Sequence, residues 1–119
     1  MVLVDTSVWV EHLRRGETRL AALLGNAEVI CHPFIVGELA CGNLRSRAEI
    51  LGLLQALPSV ERAADDEVLE FIERNQLQGR GLGLVDMHLL VSCALSQQQI
   101  WTFDAKLAKG AAALALRYA

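Results

Sequence analysis

Residues 1–10 read MVLVDTSVWV, and a β-forming run, Val2, Leu3 and Val4, stops there on a carboxylate, Asp5. The residues that follow, TSVWVEHLRR, carry apolar side chains at Val8, Trp9 and Leu13, a helical spacing that closes near Gly16. The stretch is therefore a short buried strand followed by a helix, with a charge at the joint. Working outward, ETRLAALLGN reads as a second helix ending at Gly25 and Asn26, and AEVICH as a second β-like run. Pro33 suits the first turn of the next helix, PFIVGELACG, and RSRAEILGLLQAL continues as an amphipathic helix up to Pro58. In DDEVLEFIERNQ the acids Asp65, Asp66 and Glu67 crowd the start and Arg74 the end, as a helix dipole favours. A glycine-rich turn then feeds the helix of LVDMHLLVSCALSQQ. QIWTF is a third β-like run, and DAKLAKGAAALALRYA reads as a final helix. Strands alternating with helices predict an α/β fold with a parallel sheet covered on both faces.

Composition bounds what such a fold can do. The 119 residues suit one domain, 1–119, with no internal repeat, low-complexity tract or linker. The apolar share, 53% without glycine, is at or above the roughly 45–50% usual with glycine included. Surplus apolar surface implies a partner or a second copy. No apolar run approaches the ~20 residues of a membrane helix and no basic segment precedes the first apolar one, so a cytoplasmic protein is expected. Cys31, Cys41 and Cys93 lack C-x-x-C spacing and sit among apolar neighbours, which reads as buried reduced thiols. Net charge is −3, so no overall basic field attracts nucleic acid, and any polyanion must be held locally. Arg14 and Arg15 are candidates for phosphate contact, or simply a solvated helix end.

Several motif classes fall away. GRGLGL does not complete G-x-G-x-x-G and follows a helix, so it is a turn and not a nucleotide-cofactor loop. His12, His32 and His88 have no partner at i+3 or i+4, which argues against a histidine metal site; His12 reads as solvated and His88 as lying on a helix flank. The acids remain. Asp5 follows the first strand and Asp104 the last, so a parallel sheet brings both to its carboxyl edge, where open α/β folds bind ligands. Asp5, Asp86 and Asp104 each also suit a helix start as a cap. Glu38 does not: it interrupts an apolar run inside a helix, and a buried carboxylate there needs a partner. A single arrangement accounts for all four, in which Asp5, Glu38, Asp86 and Asp104 converge and share one or two hard divalent cations. All-oxygen ligands favour Mg²⁺ or Mn²⁺ over Zn²⁺, and such a site suits phosphoryl chemistry.

In order along the chain, VLVDTSVWV, GELACG, GLGLVDMHLL and IWTFDAKL resemble PIN-domain ribonucleases, most closely toxins of the VapC type. The resemblance implies a PIN-like three-layer domain and an endoribonuclease whose acidic metal site is Asp5, Glu38, Asp86 and Asp104. It implies that Thr6 or Ser7, together with Thr102, orients water or phosphate. It further implies an RNA substrate, a homodimer, and a protein antitoxin whose C-terminal segment covers the acidic pocket. Three departures stand out. Gly83 replaces a hydroxyl residue before the third acid, His32 stands where small hydroxyl residues are common, and Ala105, Lys106 and Leu107 follow Asp104 without a further acid. Lys106 instead offers a contact to RNA phosphate. The rivals are a non-catalytic PIN-like binding module and a phosphatase with a strand-end Asp. The phosphatase needs a second Asp two residues on, where Ser7 stands. The binding module would gain nothing from concentrated like charge.

Overall fold

The computed structural model describes residues 1–118. Its elements run β1 (Val2–Val4), α1 (Thr6–Arg15), α2 (Thr18–Gly25), β2 (Val29–Ile30), α3 (Pro33–Ala40), α4 (Arg47–Ala56), α5 (Asp65–Asn75), α6 (Leu84–Ser96), β3 (Gln99–Trp101) and α7 (Ala105–Ala113). The strands form a parallel sheet in the order β2-β1-β3, with Leu3 opposite Ile30 on one side and Ile100 on the other. Consecutive strand residues point to opposite faces, yet Val2, Leu3 and Val4 are all buried, so helices cover both faces. This is the α/β architecture expected. No helix among the described residues is long and apolar enough to cross a membrane.

The chain leaves β1 toward β2 on one side and returns much later as β3 on the other. A crevice therefore opens at the carboxyl end of β1, the switch point where open α/β sheets bind ligands. The Asp5 N–H donates to the Trp101 carbonyl at 2.9 Å, which carries the pairing of β1 and β3 into that crevice.

Several local expectations change in three dimensions. α3 and α4 are separate helices: the chain turns over residues 41–46, with Ser46 at φ +50°, and the Arg47 guanidinium returns to the Ala40 and Gly42 carbonyls. Arg47 thus supplies donors to the open carbonyl end of α3. The final helix stops at Ala113. Ala115 takes φ +58°, the Leu116 N–H closes on the Ala111 carbonyl, and the tail pairs with Ile100, whose outer N–H and C=O need partners at the sheet edge. Ala119, the end of the helix expected from sequence, lies outside the described residues. Leu13 is exposed although it follows the apolar spacing of α1, and Cys41 is exposed while Cys31 and Cys93 are buried.

The histidines are more deeply engaged than their scattered spacing suggests. His12 Nδ1 accepts the Glu17 N–H at 3.0 Å and so ties the α1–α2 turn. His32 is fully buried and its Nδ1 accepts the Phe34 N–H at 3.0 Å, capping α3 in place of a hydroxyl. His88 is buried too, not on a flank, and stands edge-on to Phe34 at 4.8 Å. His32 Nε2 and His88 Nδ1 have no hydrogen-bond partner among the described residues. Burial pushes the His32 pKa down to about 4, helped by the charges His88 and Arg62 can carry nearby.

Candidate active site

Asp5 occupies the N-cap position of α1, but its side chain makes no cap bond. It is buried, and its Oδ2 instead accepts the Thr102 hydroxyl at 2.7 Å and the Ser7 hydroxyl at 2.8 Å. The β1–β3 register makes this possible by setting Val4 beside Trp101, so the next residues of both strands meet. Ser7 Oγ also accepts the Phe103 N–H at 3.0 Å, and Thr102 Oγ1 accepts the Asp104 N–H at 3.0 Å. Two hydroxyls thereby fasten the end of β3 to the end of β1 around one carboxylate.

Asp104 is the N-cap of α7, and its Oδ1 accepts the Lys106 and Leu107 N–H groups at 2.9 and 3.0 Å. Asp86 lies in the first turn of α6, where its Oδ2 accepts the Gly83 N–H at 3.0 Å. The cap bond that a hydroxyl at Gly83 would give is absent, and this reverse bond from the third residue of the helix is the one that forms. Burial raises the Asp86 pKa above the ordinary carboxylate value, the Gly83 N–H pulls it back, and the charges of Asp5 and Asp104 raise it again. Three of the four acids therefore share one electrostatic environment.

Glu38 departs from its expected burial. It is exposed on α3, so solvent removes the need for a buried partner. It is nevertheless tied to the residue next to Asp5, because Thr6 donates its hydroxyl to Glu38 Oε1 at 2.8 Å across the packed α1 and α3. Thr6, Ser7 and Thr102, expected to orient water or phosphate, here hold carboxylates. Of the basic candidates, Arg15 pairs with Glu11 at 3.7 Å and both it and Arg14 are exposed. Lys106 lies over Gly81, where a Cβ would come within 2.8 Å of its Cδ. Gly81, at φ +75°, thus leaves room for the Lys106 side chain against the glycine-rich turn.

All four carboxylates are held by one oxygen, and the second oxygen of each accepts nothing from the described residues. None of the four makes an ion pair with Lys or Arg among those residues. No group of three or more His, Cys, Asp or Glu side chains among them is placed to hold a metal ion. Such a donor set fits a hard divalent cation of the Mg²⁺ kind, which binds through one or two carboxylates and fills its remaining positions with water and substrate phosphate.

Residues 2–113 match the family model of the PIN domain, and the chain belongs to that family. It is 48% identical over 108 residues to the protein named Ribonuclease VapC32 in two strains of Mycobacterium tuberculosis, an alignment covering 90% of this chain and 87% of the relative.

Proposed function

We propose that this chain is an endoribonuclease, the toxin of a toxin–antitoxin pair, that hydrolyses RNA phosphodiester bonds with Mg²⁺ or Mn²⁺. The observation that carries the reading is Asp5: a buried carboxylate at the sheet's switch point, fixed through one oxygen by two hydroxyls, whose charge acts on Asp86 alongside that of Asp104. The relatives that match over nearly the whole chain bear the name ribonuclease, which supports it.

In this reading Asp5, Asp86, Asp104 and Glu38 would hold the cation through the oxygens that accept no hydrogen bond. A bound cation supplies Lewis acidity toward a phosphoryl oxygen and lowers the pKa of water, as hydrolysis at neutral pH requires. Ser7 and Thr102 set the angle of Asp5, and Thr6 sets that of Glu38, so the donors are arranged before substrate arrives. Lys106 and Arg14 are exposed cations that contact phosphate either side of the break. The antitoxin occupies the groove of about 780 Å³ beside Thr6 and Glu38, where Val10, Leu13, Leu44 and Ile50 give an apolar lining and Arg14 and Arg45 positive charge. Exposed Leu53, Leu69 and Leu95 leave apolar surface for a homodimer, and the pair works in the cytoplasm.

Asp5→Asn is the direct test. The variant should fold, lose Mn²⁺-dependent RNA cleavage, and no longer inhibit growth when induced without its antitoxin. Equal cleavage by wild type and variant, in preparations free of other nucleases, would overturn the reading.

A further inference from the structure

We propose that Phe103 is a stacking platform for an unpaired RNA base beside the scissile phosphodiester. The inference rests on the ribonuclease reading and adds to it a residue that positions the RNA. Phe103 stands between Thr102, which holds Asp5, and Asp104, one of the four acids. Phe103 is 48% exposed, whereas Trp101, two residues earlier, is 3% exposed.

The ring is held and not loose. It meets Trp101 edge-on, with centroids 5.7 Å apart and planes at 86°, and Trp101 is itself packed by Tyr118 at 5.8 Å and by the Arg19 guanidinium at 4.7 Å. The Phe103 N–H is tied to Ser7 Oγ, the same hydroxyl that donates to Asp5. The backbone of Phe103 is therefore fixed to the acidic site, while its ring is fixed against Trp101. A phenyl offers no hydrogen bond, so it reads no base identity, but every base has a face that can stack on it. Bases in an A-form duplex are already stacked on one another, so only an unpaired nucleotide can use such a platform. Net charge is −3 and the site itself is acidic, so stacking supplies attraction that charge does not.

The test uses the full chain. Asp5→Asn protein binds a random-sequence single-stranded RNA pool carrying 2-aminopurine, with Mn²⁺ present. Stacking should quench the fluorophore, and adding Phe103→Leu should remove the quench and weaken binding by roughly tenfold or more. Phe103→Trp, which keeps an aromatic face, should restore both. With Asp5 intact, Phe103→Leu should raise KM by a similar factor and affect kcat less. Unchanged quenching and KM in Phe103→Leu, or duplex RNA cut as fast as single strands, would overturn the platform while the ribonuclease reading survives. No RNA cleavage by wild type and no RNA binding by Asp5→Asn would overturn both.

Discussion

The Thr102 hydroxyl donates to Asp5 Oδ2 at 2.7 Å across 97 residues of sequence, and Thr102 Oγ1 in turn accepts the Asp104 N–H at 3.0 Å. One side chain thus couples an acid at the end of β1 to the backbone of an acid after β3. Thr102→Val keeps the shape and removes both bonds. Metal affinity and cleavage should fall about 10–100-fold, the usual effect of losing a group that orients a ligand. Stability should fall by about 1–2 kcal/mol, because the Asp104 N–H loses its acceptor. Mn²⁺ titration calorimetry and urea unfolding check the two effects separately.

Metal should stabilise the fold, and more so at neutral than at acid pH. The folded protein holds the Asp86 proton more tightly than the unfolded chain does, so stability without metal is greater in acid and falls as pH rises through the raised pKa. A cation at neutral pH offsets the cost of burying the Asp86 charge near those of Asp5 and Asp104. Adding Mn²⁺ after EDTA treatment should raise Tm at about pH 7, and less below about pH 4, where carboxylates protonate. An unchanged Tm at neutral pH would count against a shared site.

Asp86→Asn should separate stability from function. The amide oxygen still accepts the Gly83 N–H, while the charge that Asp5 and Asp104 oppose is gone. Without metal, Tm should rise by a few degrees; with Mn²⁺ the further rise should vanish, and RNA cleavage with it. Differential scanning calorimetry with and without metal reads both.

His32 should make the protein acid-sensitive. Its folded pKa of about 4 lies below the ordinary 6.5, so protonation favours the unfolded chain. The stability linked to it is complete above about pH 6.5 and is lost as pH falls toward about 4, on the order of 3 kcal/mol in all. His32→Asn keeps an acceptor for the Phe34 N–H and should flatten that acid limb in urea unfolding across the range.

Gly81→Ala should cost about 1 kcal/mol or slightly more. The left-handed φ of +75° sets the cost, since the Lys106 side chain is flexible and can swing off the new Cβ. That displacement should weaken RNA binding as Lys106→Ala does, measured by filter binding at two salt concentrations.

The local signals in the sequence were strong where they depended on neighbours a few residues away. The run Val2 to Val4, the stop at Gly16, Pro33 at a helix start and the acid-first order of residues 65–75 all match elements of the structure. They report backbone period, helix dipole and φ, which short segments carry with them. Exposure was less legible: Leu13 and Cys41 sit in apolar-looking stretches yet face solvent, and His32 and His88 are polar yet buried. Burial depends on which helix covers which, and no short window contains that.

The sequence by itself determined the order of strands and helices, three acids at or near helix starts and a fourth inside a helix, and the kinship with PIN domains. Only the tertiary structure decided what those acids do with their oxygens. Asp5 looks like a helix cap from its neighbours, but the register of β1 on β3 brings Thr102 within 2.7 Å, and the carboxylate bonds to hydroxyls in place of the helix backbone. Glu38 looks buried from its neighbours, but the packing of α1 on α3 leaves it exposed and bonded to Thr6. A hydrogen bond is satisfied by whatever partner the fold delivers, and partners delivered across 32 or 97 residues are fixed by sheet register and helix packing.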